Sequence, residues 1–323
     1  MKKIILILIC AGLAAVLVTD SAGMRAAVYD SIMLCLNTVV PSLFAFLALS
    51  AFIMSSGLVK GEPALFILSV TGGYPVGAKL LFDKVTRDPT YKSRAQIMLM
   101  YCFCPSPVFL IALTRFGIYI WLSNVLACFI FAVAANAVNT MVFKSKPAPE
   151  LKQPDSPQVS VDVRSFVNAV TSAGSALYKI CIMVVAFSVI TRLLQLSGVT
   201  NSIFHSLIEI TNVAKVSAAP ALIAALTSMG GVCIMFQTAA LTAGRLNLRK
   251  FILARIPIAA LSAGICHLII GVVGLTDSDS VYISANTVQT LRVQVSSGGS
   301  VIASLCLLVM TLLLLHKSPF SYK

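Results

Sequence analysis

Ser31 to Leu58 is a run of about 28 residues without a single charge, and Val216 to Gly244 is another of about 29. At 1.5 Å of rise per residue, either run as a helix is long enough to cross roughly 30 Å of hydrocarbon with tilt. A soluble globule has no place for several such segments. The chain of 323 residues is 58% hydrophobic and 11% charged, with a mean hydropathy of +0.95, against roughly 25% charged in ordinary soluble domains. Its polar minority can cap membrane spans but cannot coat a globule, so the expected fold is an all-α polytopic membrane protein with the lipid bilayer as its first partner.

The 24 Lys and Arg outnumber the 11 Asp and Glu, giving a formal charge of +13. These basic residues sit in short stretches between apolar runs, which is the positive-inside pattern and not a phosphate-tracking stripe, so no nucleic acid is expected. The nine cysteines are an odd number and lie almost wholly inside apolar segments, which implies packed thiols and no disulfide framework. His205, His267 and His316 have no partner at metal-ligand spacing, and no metal or cofactor is implied. Neither a G-x-S-x-G, an H-E-x-x-H nor a P-loop is present, so the chain is not read as an enzyme.

Residues 1–30 read as an N-terminal anchor and loop, with Lys2 and Lys3 before an apolar run from Ile4 to Val18 that lacks a small-residue cleavage site. Residues 31–143 form a first half. It opens with a span kinked by Pro41, followed at Pro63 to Leu81 by an apolar stretch holding Thr71, Gly72, Gly73, Tyr74, Pro75, Val76 and Gly77. That centre predicts a re-entrant hairpin of two half-helices, a geometry tolerated at membrane depth only where protein or a cavity surrounds the exposed backbone. A basic stretch follows (Lys79, Lys84, Arg87, Lys92, Arg94). Ala95 to Leu113 is a second broken helix, interrupted at Cys104, Pro105, Ser106 and Pro107, and Ile118 to Phe143 is a plain span whose Asn124, Asn136 and Asn139 suit interhelical hydrogen bonds.

Residues 144–165, with Pro147, Pro149, Pro154 and Pro157, are a linker. A second half, 166–275, holds a span with Lys179 and Arg192, a polar insert from Asn201 to Lys215, a run with Gly230 and Gly231 at its centre, a basic loop (Arg245, Arg249, Lys250, Arg255) and a further span. Residues 276–323 add a polar loop and a last span. Leu49 to Val59 resembles Phe187 to Val199, and each precedes a Gly-Gly within an apolar run and then a basic loop. Weak internal symmetry with paired, interrupted segments points to a secondary transporter, whose broken helices offer backbone groups to a midplane site. Whether the repeat is inverted, and whether Val216 to Gly244 is a span or a hairpin, stays open at this level.

Four stretches, NTVVPSLFAFLALS from Asn37, GGYPVGAK from Gly72, EIT from Glu209, and SMGGVCIMFQT through LARI between Ser228 and Ile256, resemble the nucleoside-recognition or gate-domain membrane proteins. Within these they are most similar to the sporulation integral membrane protein YlbJ family. The chain departs from the family's pattern at Met235, where a His is usual, and near Cys104, where an Asn is usual. The resemblance implies a gated transporter distantly similar to concentrative nucleoside transporters. It also implies a multi-pass location in a bacterial inner or forespore membrane, with a role in spore envelope assembly associated with movement of dipicolinate.

From the residues themselves, Lys79, Lys179, Arg192 and Arg255 lie within or at the ends of apolar segments against Glu209 as the comparable acid, and a cationic interior suits an anionic small-molecule solute. The candidate solute-binding residues are Gly72, Gly73, Tyr74, Pro75, Lys79, Ser106, Gly230, Gly231 and Gln237, with both Gly-Gly pairs expected to face one another across a midplane cavity. Arg192, Glu209 and Arg255 are candidates for gating or charge pairing, with Arg192 expected to pair with Glu209. A non-transporting assembly protein of the spore envelope is the alternative function, and homo-oligomerisation is compatible with either.

Overall fold

Every secondary-structure element among the described residues, 19–56, 61–143 and 163–273, is helical in the computed structural model. In hydrocarbon each backbone N–H and C=O must find its partner within the protein, and helices do this within one segment. The elements are α1 (Ser21–Leu34), α2 (Val40–Ser55), α3 (Glu62–Gly72), α4 (Tyr74–Arg87), α5 (Lys92–Tyr101), α6 (Pro107–Leu113), α7 (Gly117–Phe143), α8 (Val163–Leu196), α9 (Ser202–Ile208), α10 (Pro220–Met229), α11 (Gly231–Thr242) and α12 (Leu248–Val273). Gly117–Val138, Val163–Leu196, Pro220–Thr242 and Leu248–Val273 are each long and apolar enough to cross a membrane, and the bent pair α1–α2 makes a fifth. The anchor at residues 1–18, the linker at 144–162 and the C-terminal span fall outside the described residues.

The kink expected at Pro41 lies just ahead of it. Pro41 has no N–H for the carbonyl four residues earlier, and a π-helical turn over Cys35–Val39 absorbs the clash, bending α1 against α2 by 48°. Gly73, at φ 95°, ends α3 and starts α4. The two helices fold back on one another: a Cβ added to Gly77 in α4 would stand 3.0 Å from the Ser69 Cβ of α3, eight residues earlier. The stretch is thus a hairpin of two helices.

Contacts between helix ends define two faces. Glu62 at the start of α3 pairs with Arg94 in the first turn of α5, and Arg94 Nη1 donates to Asn136 near the end of α7 at 2.6 Å. Arg245, after α11, reaches Thr86 at the end of α4 (3.2 Å), and Phe52 at the end of α2 packs edge-on against Phe166 at the start of α8 (5.7 Å). Lys84, Arg87, Lys92, Arg94, Arg164, Arg245, Arg249 and Lys250 are thereby gathered on one face. On the opposite face, Arg192 near the end of α8 meets Asp20 at the start of α1.

These ties settle the direction of each element. The α3–α4 hairpin enters and leaves at the basic face. α10 and α11 run on through Gly230 as one broken span, from the opposite face to the basic one, so Val216 to Gly244 is a span and the basic loop after it joins the other basic loops.

Candidate functional site

The three helix breaks converge. A Cβ added to Gly73 would lie 3.1 Å from the Ser106 Cβ, and one added to Gly230 would lie 2.7 Å from a Phe103 ring carbon. Both glycines have positive φ (95° and 82°), so each supplies a backbone turn and a close approach that a side chain would block. By helical rise Tyr74 lies about 20 Å from Arg87, Gly230 about 18 Å from Thr242 and Tyr101 about 14 Å from Lys92, near the middle of a roughly 30 Å hydrocarbon layer.

Aromatic rings fill the meeting point. Tyr74 packs against Phe103 with centroids 4.8 Å apart and planes tilted by 47°, Phe103 meets Phe251 edge-on at 4.8 Å, and the Tyr74 hydroxyl donates to the Thr227 carbonyl one turn before Gly230. Asn124 of α7 donates to Ile120 O (2.9 Å) and Thr227 Oγ1 of α10 (3.4 Å), so that, with Asn136 accepting from Arg94 of α5, two of the three asparagines make the expected interhelical bonds. The two Gly-bearing breaks are therefore neighbours, but packed rings stand where a cavity was expected.

Arg255 is the charged member of this cluster. It lies two turns into α12, is 0% exposed, and its guanidinium carbon stands 4.8 Å from the Phe103 ring and 5.2 Å from the Phe251 ring. Nη1 donates to the Phe103 carbonyl at 3.1 Å, a carbonyl freed by the helix break, whereas Nε and Nη2 are buried with no hydrogen-bond partner. The groups acting on it are Cys128, whose thiol is also within hydrogen-bonding reach of the guanidinium, Cys104 and Tyr74, all neutral in their ordinary protonation states, and among the described residues no carboxylate pairs with it. Two cation–π contacts are worth about 1–4 kcal/mol together and one charge-assisted hydrogen bond about 1.5–3 kcal/mol. Burying an ion costs several kcal/mol, the same order as these contacts, and no counter-charge is among them. The open Nε and Nη2 are the adjacent pair of donors with which arginine grips a carboxylate bidentately.

The other expected residues fall elsewhere. Gly72 and Pro75 are buried in the hairpin tip. Lys79, 8% exposed, is held by Asp83 one turn on, with Nζ to Oδ1 and Oδ2 at 2.5 and 2.6 Å, and is not an open ligand for a solute. Ser106 caps α6 by accepting from Phe109 N at 3.2 Å, and Gln237 donates to Cys233 Sγ at 3.4 Å. Gly231 lies against Ser206 and Leu207 of α9. Arg192 does not pair with Glu209. Its Nε donates to Asp20 Oδ2 at 2.7 Å, and the Glu209 carboxylate instead accepts from Thr211 N at 3.0 Å, capping the 3₁₀ turn. The site's other members, Phe103, Phe251 and Thr227, were not among the candidates. Phe251 stands four residues before Arg255, a spacing that puts ring and guanidinium on one helix face.

Compared with protein-family models, curated proteins and solved structures, the chain finds no match in any of the three. What fold and composition define is an all-helical multi-pass membrane protein.

Proposed function

We propose that the chain is a secondary transporter or facilitator of a small organic anion, with Arg255 as the group that holds it. The observation that carries this reading is the buried guanidinium with two adjacent nitrogens unpartnered at the junction of three helix breaks. A carboxylate there would supply the missing counter-charge, which gives binding a large electrostatic gain in a dry site. An aromatic dicarboxylate of the dipicolinate kind fits better than an uncharged nucleoside, because the rings of Phe103, Phe251 and Tyr74 offer flat apolar walls beside the charge. By the positive-inside rule the basic face lies in the cytoplasm, with the protein in a bacterial inner or forespore membrane.

A second reading, a non-transporting assembly protein of the spore envelope, draws on the close packing of Tyr74 and Phe103 in the junction. Uptake by proteoliposomes of labelled aromatic dicarboxylates and nucleosides separates the two. Saturable dicarboxylate uptake that is lost in Arg255→Gln supports the transporter, and absence of uptake of every solute in the wild type supports the assembly role.

A further inference from the structure

The basic face carries more charge than the chain neutralises itself. Among the described residues its carboxylates are Glu62, Asp83 and Asp88, and each is engaged: Glu62 by Arg94, Asp83 by Lys79, and Asp88 by Thr90 N at 3.0 Å. Residues 144–162, which join α7 to α8, contain three Lys against one Glu and two Asp, so that stretch of sequence adds no net charge. Arg87, Lys92, Arg164, Arg245, Arg249 and Lys250 are exposed on this face.

Two of these cations are brought together by a turn. α11 ends at Thr242, and Ala243 (φ 47°) and Gly244 (φ 70°) follow in left-handed backbone. Ala243 is the one non-glycine residue with positive φ among the described residues, a conformation that its Cβ disfavours. The turn sends Arg245 back over α4. Its Nη1 donates to Thr86 Oγ1 at 3.2 Å, and its guanidinium carbon stands 5.4 Å from the Phe82 ring, a cation–π contact that holds the charge in place. Thr86 is fixed in turn, its hydroxyl donating to Phe82 O at 2.8 Å. Arg87 is the next residue of α4, and Arg249 and Lys250 stand in the first turn of α12.

The depth of this cluster matches a particular layer of the membrane. By helical rise Thr86 lies about 18 Å from Tyr74 and Thr242 about 18 Å from Gly230. With the junction near the middle of a roughly 30 Å hydrocarbon layer, both ends lie just beyond its edge, in the zone of the lipid headgroups.

We propose that Arg87 and Arg245, rimmed by Arg249 and Lys250, form a site for the phosphate of an anionic phospholipid, which bridges the exits of α4 and α11. A zwitterionic lipid brings its own cation to the same place and gains less from the cluster. A soluble phosphate has the same charge but no acyl chains to bring it to this depth.

Native mass spectrometry of the full chain, delipidated in detergent and titrated with phosphatidylglycerol or phosphatidylcholine, reads the site. Phosphatidylglycerol should bind the wild type at least about fivefold more tightly, the factor that one surface cation contributes. R245Q should lose about fivefold in phosphatidylglycerol affinity, and R249Q carries the same test if R245Q does not fold. R25Q removes an exposed cation near the opposite face and should keep the wild-type affinity. Equal binding of the two lipids, or a loss in R25Q as large as that in the patch variants, would show general charge attraction in place of a site and overturns the proposal. Thermal unfolding in the same detergent should shift upward with phosphatidylglycerol and not with inorganic phosphate, and any other pattern overturns the assignment to a lipid. None of these measurements uses transport, so their failure leaves the reading of Arg255 standing, and loss of that reading leaves this one intact.

Discussion

Tyr74, the first residue of α4, reaches across 153 positions of sequence and donates its hydroxyl to the carbonyl of Thr227, joining the tip of the α3–α4 hairpin to the last turn before the break in the α10–α11 span. The bond is buried at both ends. The notch left by Gly230 admits the Phe103 ring against which Tyr74 packs, so a hydrogen bond, a tilted ring contact and a glycine act on one point.

Removing that hydroxyl should therefore be felt as stability. Tyr74→Phe keeps the ring and leaves the Thr227 carbonyl without its donor, which should cost about 1–3 kcal/mol. Tyr74→Ala also empties the ring's volume and should cost about 3–5 kcal/mol. Thermal unfolding of the three proteins in one detergent orders them. Equal stability of wild type and Tyr74→Phe would show that the bond contributes nothing.

Glycine substitutions offer a contrast within one chain. At Gly77 an added Cβ would fall 2.1 Å from the Cys102 carbonyl, forcing the hairpin away from the broken α5–α6 span. Gly77→Ala should lose at least about 3 kcal/mol, at the upper end of overpacking costs. Gly174, inside α8, has nothing within 4 Å of the same atom, and Gly174→Ala should gain about 0.5–1 kcal/mol of helix propensity. Unfolding midpoints that shift in the same direction for both would contradict this packing.

How far the sequence carries the reader depends on whether a feature is local. The hairpin at Gly73 was legible because Gly-Gly-Tyr-Pro combines a positive-φ residue with one that has no N–H. Helical periodicity also held the Lys79–Asp83 pair, since a carboxylate four residues on lies on the same face, yet attention to apolar context assigned Lys79 to a solute. Arg192 was matched to the nearest acid along the chain. Its partner Asp20 lies 172 residues away and is brought in by packing of α1 on α8, which no spacing encodes. The acceptors of the junction, the carbonyls of Phe103 and Thr227, are backbone atoms and leave no trace in residue identity.

The Arg192 pairing can be checked by coupling. In a double-mutant cycle on stability, Arg192→Gln and Asp20→Asn should be non-additive, with a coupling that shrinks as salt is raised because the pair is partly solvated. Arg192→Gln and Glu209→Gln should add, since each carboxylate has its own partner. A coupling found with Glu209 and not with Asp20 would restore the pairing that proximity in sequence suggests.

On the basic face, Glu62 sets a pH dependence whose sign follows from its partners. The Arg94 guanidinium binds it through two nitrogens, with Nε to Oε1 at 2.6 Å, and the Tyr91 hydroxyl donates to Oε1 at 3.1 Å. The hydrogen bonds from Arg94 hold the Glu62 carboxyl below its ordinary value, against partial burial, which pushes it up. A carboxyl lowered in the folded state contributes stability that is fully present above its unfolded pKa of about 4.3 and is lost as pH falls through the lower folded value. Stability of the wild type should thus hold level from about pH 7 to about pH 5 and decline below about pH 4. Glu62→Gln should be less stable than wild type near neutrality, and the gap between the two should close in acid. Chemical unfolding at a series of pH values measures the gap. A gap that stays constant down to about pH 3 would mean that the Glu62 charge, and with it the Arg94 clamp joining α3, α5 and α7, does not stabilise the fold.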